Sequence, residues 1–111
     1  MRLIALALIA SVVAAASARA ASGSSWYWST SRAEFKIEQS TGIRAEFRAD
    51  YIVNVDCVPL GAWIWSSSGS PREQLYRRFD CSFNVLNLAS ERTVERILIV
   101  MGAQTFQMQT P

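Results

Sequence analysis

Residues 42–57 read GIRAEFRADYIVNVDC, and the spacing of their apolar side chains decides what fold to expect. Ile43, Ala45, Phe47, Ala49, Tyr51, Val53, Val55 and Cys57 fall on odd positions. Arg44, Glu46, Arg48, Asp50, Asn54 and Asp56 fall on even ones. Sustained alternation of this kind is the pattern of a β-strand with one buried face, so a long strand is expected here with Cys57 turned inward. A second alternating run follows, with Leu75, Arg77, Phe79, Cys81, Phe83 and Val85 opposed to Tyr76, Arg78, Asp80, Ser82 and Asn84. Cys81 again lies with the apolar set. Two inward cysteines on two strands are the arrangement a disulfide across a core requires.

The chain downstream supplies the remaining strands. Residues 93–101 are continuously apolar in their second half, which suggests a central strand covered on both faces. Gly102-Ala103 suits a two-residue hairpin turn, and residues 104–110 close as a last strand with Phe106 and Met108 inward. Upstream, Ser31-x-x-Glu34 suits a capping box and Gly42 a helix stop, so a helix is expected over 32–41. A strand over the same residues is the competing assignment, because Ala33, Phe35 and Ile37 also alternate. The predicted fold is α+β: a short N-terminal helix packed on a four- to five-stranded antiparallel meander.

The first twenty residues, MRLIALALIASVVAAASARA, have a basic start, an apolar run and Ala18-Arg19-Ala20 at the end. These are the parts of a secretory signal peptide, and the apolar run is shorter than the ~20 residues that span a bilayer. Cleavage after Ala20 leaves 111 − 20 = 91 residues. The domain organisation expected is a signal peptide at 1–20, a flexible aromatic segment at 21–31, and one disulfide-stapled α+β domain at 32–111. The full chain has 11 Lys+Arg against 9 Asp+Glu; without Arg2 and Arg19 the balance is 9 against 9. A net charge of zero gives no field for nucleic acid or anionic lipid. In an exported domain, two cysteines most often pair. A Cys57–Cys81 bond would contribute roughly 3–4 kcal/mol in the loop-entropy account.

Chemistry has few carriers in this chain. There is no histidine, which removes Ser-His-Asp and Cys-His catalysis, and two cysteines alone do not complete a tetrahedral zinc site. No metal, cofactor or catalytic residue is therefore assigned. Lys36 is the only lysine and sits among charges. Carboxylates on different strands leave one enzymatic alternative, a small secreted hydrolase. Arg77-Arg78 places one arginine on the core face, where it either needs a carboxylate such as Asp80 or Glu95 or lies at the sheet edge.

The unusual signal is tryptophan: all four occur as Trp-x-Trp, at Trp26/Trp28 and Trp63/Trp65. Two apart on a strand is one face, so each pair is either core packing or a pair of parallel indoles offered to a partner. Trp63 and Trp65 fall in an expected aromatic loop over 58–71, bounded by Val58-Pro59-Leu60-Gly61 and SSSGSP. The leading expectation is a non-catalytic module that binds a protein or cell-envelope component through that loop. The other alternative is a structural envelope protein without a ligand pocket.

Three stretches, WYWSTSRAEF (26–35), NVDC (54–57) and YRRFDC (76–81), resemble segments of small uncharacterised secreted proteins of high-GC Gram-positive bacteria. The resemblance implies export and a paired cysteine, and it carries no activity. The order of helix then meander is also similar to cystatin-like rolls. Their protease-blocking Q-x-V-x-G loop has no counterpart here, so that resemblance implies architecture alone.

Overall fold

A computed structural model describes residues 26–111. The expected signal peptide at 1–20, with its cleavage site, lies outside the described residues. From Thr30 the order is α1 (Thr30–Glu38), α2 (Thr41–Phe47), β1 (Tyr51–Trp65), β2 (Gln74–Leu86), β3 (Glu91–Val100) and β4 (Phe106–Gln109). The strands form one antiparallel four-stranded sheet in sequential order. Both helices pack on one face, giving an α+β architecture with an open sheet.

The expected helix over 32–41 is α1, two residues earlier at its start. Its N-cap is Ser29, whose Oγ accepts the Arg32 N–H at 3.2 Å. Glu34 is therefore free of the expected capping box and spends its carboxylate elsewhere: Oε2 accepts the Cys57 N–H at 3.0 Å. Ala33 and Ile37, four apart, are the buried stripe of this helix.

The long strand expected from Ile43 is corrected at its first half, where the chain is α2. Alternation at 43, 45 and 47 also contains an i, i+4 pair, so Ile43 and Phe47 satisfy a helix as well as a strand. Capping decides between the two. Ser40 Oγ accepts the Ile43 N–H at 3.1 Å, and Arg48 ends the turn in the left-handed region at φ 52°. Such a residue closes helices by freeing a reversal of the chain. Phe47 then packs edge-on against Phe83, with centroids 6.4 Å apart.

β1 begins at Tyr51 with its parity opposite to that expected: Ile52 is buried and Tyr51 exposed. A bulge at Asn54 (φ 56°) shifts the register between Val53 and Asp56 and restores the odd parity, so that Cys57 faces in. Cys57 and Cys81 are register partners, bonded to one another, with Cα atoms 4.0 Å apart. β2 follows the alternation expected of it, with Phe79, Cys81, Phe83 and Val85 all buried.

β3 is covered on one face only, which corrects the expectation of a central strand closed on both. Val94, Leu98 and Val100 are buried against the helical side, whereas Ile97 and Ile99 look onto the open face and are half-buried. The chain after β3 is also longer than a two-residue turn: residues 101–105 form a loop, with the Met101 N–H donating to the Thr105 carbonyl at 2.9 Å. Three side chains hold that loop open. Trp28 Nε1 donates to the Gly102 carbonyl (3.1 Å), Arg32 Nη2 to the Ala103 carbonyl (2.5 Å), and Lys36 Nζ to Gln104 Oε1 (2.7 Å). The result is a clasp between the start of the described chain and its last turn.

Candidate functional site

The expected aromatic loop over 58–71 is mostly strand. β1 runs through Pro59 without interruption to Trp65, and only the connection from Ser66 to Glu73 is loop. Two local features permit this. β1 is an edge strand, where a proline costs no ladder bond if its nitrogen faces outward. Cys57, two residues earlier, turns its N–H away from β2 to Glu34, so Pro59 is in the outward phase. Gly61 then takes φ 77°, and the register shifts between Leu60 and Trp63 before pairing resumes. A side chain at that φ would be strained, so the glycine is what lets the strand continue past the bulge.

Trp63 and Trp65 consequently stand at the tip of the β1–β2 hairpin, opposite Tyr76 and Gln74. They are 42% and 52% exposed. Their rings meet edge to face, with centroids 5.0 Å apart and planes at 82°. Neither alternative for this pair holds as stated, since the indoles are neither buried nor parallel: two side chains on one face of a twisted strand tip lean together, and the edge of one indole meets the face of the other. That geometry offers a notch with two walls rather than a flat plate for stacking.

The other Trp-x-Trp pair is divided between core and surface. Trp28 is 2% exposed and its backbone exchanges hydrogen bonds with Tyr76, at 2.8 and 2.7 Å, as a bridge on the side of β2 away from β1. Arg32 lies over its ring at 5.4 Å and Phe106 meets it edge-on at 5.9 Å. Residues 26–31 of the expected flexible segment are therefore part of the domain as described. Trp26 is half-buried beneath the Arg77 guanidinium, 4.8 Å from its ring centre. Arg77 and Arg78 are both exposed, and neither forms an ion pair among the described residues, so the pairing with Asp80 or Glu95 offered as one alternative to a sheet-edge position is not seen. An aromatic face takes the place of the carboxylate for Arg77.

Two hollows accompany these residues. One, of about 400 Å³, is lined by Tyr27, Trp28, Ser29, Arg32, Glu73, Leu75 and Ala103. The other, of about 310 Å³, lies between α1 and β1 and is lined by Ser31, Glu34, Phe35, Glu38 and Val55. The second was not legible in advance: Val55 belongs to the expected inward face, but the hollow needs Glu34, Phe35 and Glu38 of α1 laid beside β1, and the sequence does not place the helix there. Glu34 and Glu38 are one helical turn apart on the same wall. A carboxylate pair for glycoside hydrolysis must flank a scissile bond from two sides, which this placement does not do.

On the open face, Asp80 and Glu95 crowd one another across β2 and β3. A hydrogen bond to Asp80, and then the charge of Asp80, raise the Glu95 carboxyl above its ordinary value. Among the described residues no cluster of acidic or cysteine side chains has the grouping a metal ion needs, and no helix is long and apolar enough to cross a membrane. No protein-family model, curated protein or solved structure matches the chain.

Proposed function

We propose that this protein is a secreted, non-catalytic binding module that engages a protein or cell-envelope component through Trp63 and Trp65. The observation that carries this reading is the exposure of two adjoining indoles at the end of a hairpin whose root is fixed by the Cys57–Cys81 bond. Tryptophan is enriched at the centres of interfaces because it offers a large rigid surface at low entropic cost. A hairpin held rigid at its base loses little further freedom on binding. The disulfide supports an oxidising compartment, as does the leader-like stretch at 1–20. The resemblance to small secreted proteins of high-GC Gram-positive bacteria fits the same reading. The helix laid on a meander supports a cystatin-like architecture, without the inhibitory loop.

The test compares the wild-type protein with Trp63→Ala/Trp65→Ala. The expected outcome is a folded variant, its thermal midpoint within about 5 °C of wild type, that no longer co-sediments with isolated cell envelopes or their extracted proteins. Unfolding of the variant would identify the pair as core, and unchanged co-sedimentation would move the binding surface elsewhere.

A further inference from the structure

The free edge of β1 is protected unevenly. Edge strands expose unpaired N–H and C=O groups that template the addition of another strand, and folded proteins usually block them. Along the root of β1 the outward donors are blocked in turn. The Cys57 N–H is taken by Glu34 Oε2, Pro59 has no N–H, and Gly61 carries the bulge. At the tip the pattern changes. The Ser66 N–H donates to the Glu73 carbonyl at 2.8 Å, so this register position is a hydrogen-bonded pair. Alternation then makes Trp65·Gln74 and Trp63·Tyr76 non-hydrogen-bonded pairs, whose β1 backbone groups point away from β2. Among the described residues nothing accepts the Trp63 or Trp65 N–H from that side.

We propose that this edge receives an extended, basic polypeptide segment, which pairs with β1 at Trp63 and Trp65 and runs back toward α1. The proposal rests on the reading of Trp63 and Trp65 as a binding surface and specifies the class of partner. Strand addition supplies main-chain hydrogen bonds at the tip, while the indole notch takes an apolar side chain of the incoming segment. Charge complementarity sets its other end. About 25 Å along the edge, the hollow beside α1 presents Glu34 and Glu38 together with Phe35, which is 58% exposed. Neither carboxylate is in an ion pair among the described residues. A lysine or arginine lowered into this hollow would lay its methylenes on Phe35 and its charge against the two carboxylates. A second copy of the chain is the poorer occupant. Two tips meeting about a two-fold axis would cover on the order of 500 Å² of indole, below the ~1,200–2,000 Å² of stable interfaces.

The experiment uses an acetylated, amidated octapeptide of alternating valine and lysine. Its controls replace lysine by glutamate, or carry N-methyl groups on every second amide in each of the two phases. Amide exchange and shifts of the oxidised protein are followed by NMR. The lysine peptide is expected to slow exchange at the Trp63 and Trp65 amides by about tenfold or more. The glutamate peptide, and at least one N-methylated phase, should bind about tenfold more weakly. Glu38→Gln should weaken the lysine peptide about threefold and flatten its salt dependence.

Equal binding of both N-methylated phases would overturn the proposal, as would equal binding of the glutamate peptide. Sedimentation showing a dimer that buries Trp63 and Trp65 would also overturn it, in favour of a second copy. These failures are separable from failure of the parent reading. If the edge inference alone is wrong, Trp63→Ala/Trp65→Ala still abolishes co-sedimentation with envelopes. If the parent reading is wrong, that variant co-sediments unchanged whatever the peptides do.

Discussion

Tyr76 has a tryptophan on either side: Trp28 bridges to it across one edge of β2, and Trp63 is its register partner across the other. Both belong to a Trp-x-Trp pair, yet one is buried and the other stands 42% exposed. The residues themselves do not differ; what lies above them does. Over Trp28 the first turn of α1 and the loop at 101–105 close together, and Arg32, Lys36 and Phe106 surround the indole. Among the described residues, Trp63 meets no aromatic ring other than Trp65. A tryptophan in a half-finished sheet becomes core where a helix or a turn can be brought over it, and remains surface where the strand outruns the helices.

The largest effect should come from breaking the closed side. Trp28→Ala removes a buried indole, its hydrogen bond to Gly102 and its contacts with Phe106, and should cost about 3–5 kcal/mol in urea unfolding. The tip variant Trp63→Ala/Trp65→Ala should cost no more than about 2 kcal/mol, since it loses an edge-to-face pair and half-buried area. Similar losses for the two would erase the distinction. Next in size, reducing the Cys57–Cys81 bond, or replacing both cysteines with alanine, should cost about 3 kcal/mol. The loss should be shared by root and tip alike, because the bond fixes the base from which the tip projects. Glu34→Ala sharpens the comparison along β1. It leaves the Cys57 N–H without its acceptor, for about 1 kcal/mol, and should speed exchange of that amide while leaving those of Trp63 and Trp65 unchanged.

The smallest effect lies on the open face. Asp80 raises the Glu95 carboxyl above its ordinary 4.5, so the folded protein holds that proton more firmly than the unfolded chain does. Stability from this source is intact below pH 4.5 and is lost as pH rises through the raised value. Glu95→Gln should therefore raise the thermal midpoint slightly at neutral pH, with the gain vanishing as pH falls below the ordinary 4.5. Because Glu95 is exposed, salt should shrink the difference.

How much of this could be read from residues depends on whether a signal was local. The inward phase of β2 was legible, since Phe79 to Val85 alternate without interruption, and with it the pairing of Cys81. The helix near 32–41 was legible from residues that tolerate helix, but its end signals were misplaced: its cap is Ser29, Glu34 serves the neighbouring strand, and Gly42 lies inside α2 instead of stopping α1, whose C-cap is Gln39. α2 was not, because Ile43 and Phe47 obey both periods, and the choice rests on Ser40 and on a left-handed Arg48 that nothing in the residue type announces. The bulges at Asn54 and Gly61 were hidden for a related reason: each changes the phase of β1, and a phase is visible only against its partner. The candidate site was legible as residues, Trp63 and Trp65, and illegible as geometry. Its place on a strand follows from Pro59 lying on an outer edge, which is a property of the sheet order.

The hold of Trp28, Arg32 and Lys36 on residues 102–104 spans 74, 71 and 68 positions of the chain. A ribosome or a translocation channel releases the beginning of such a protein long before the end it must grip. Until Gln104 has emerged, the indole of Trp28 has no lid and α1 has no anchor at its far side. The finished shape is thus a late event in the life of each molecule, and a chain cut short before β4 would carry an open aromatic seam from its first folded residue.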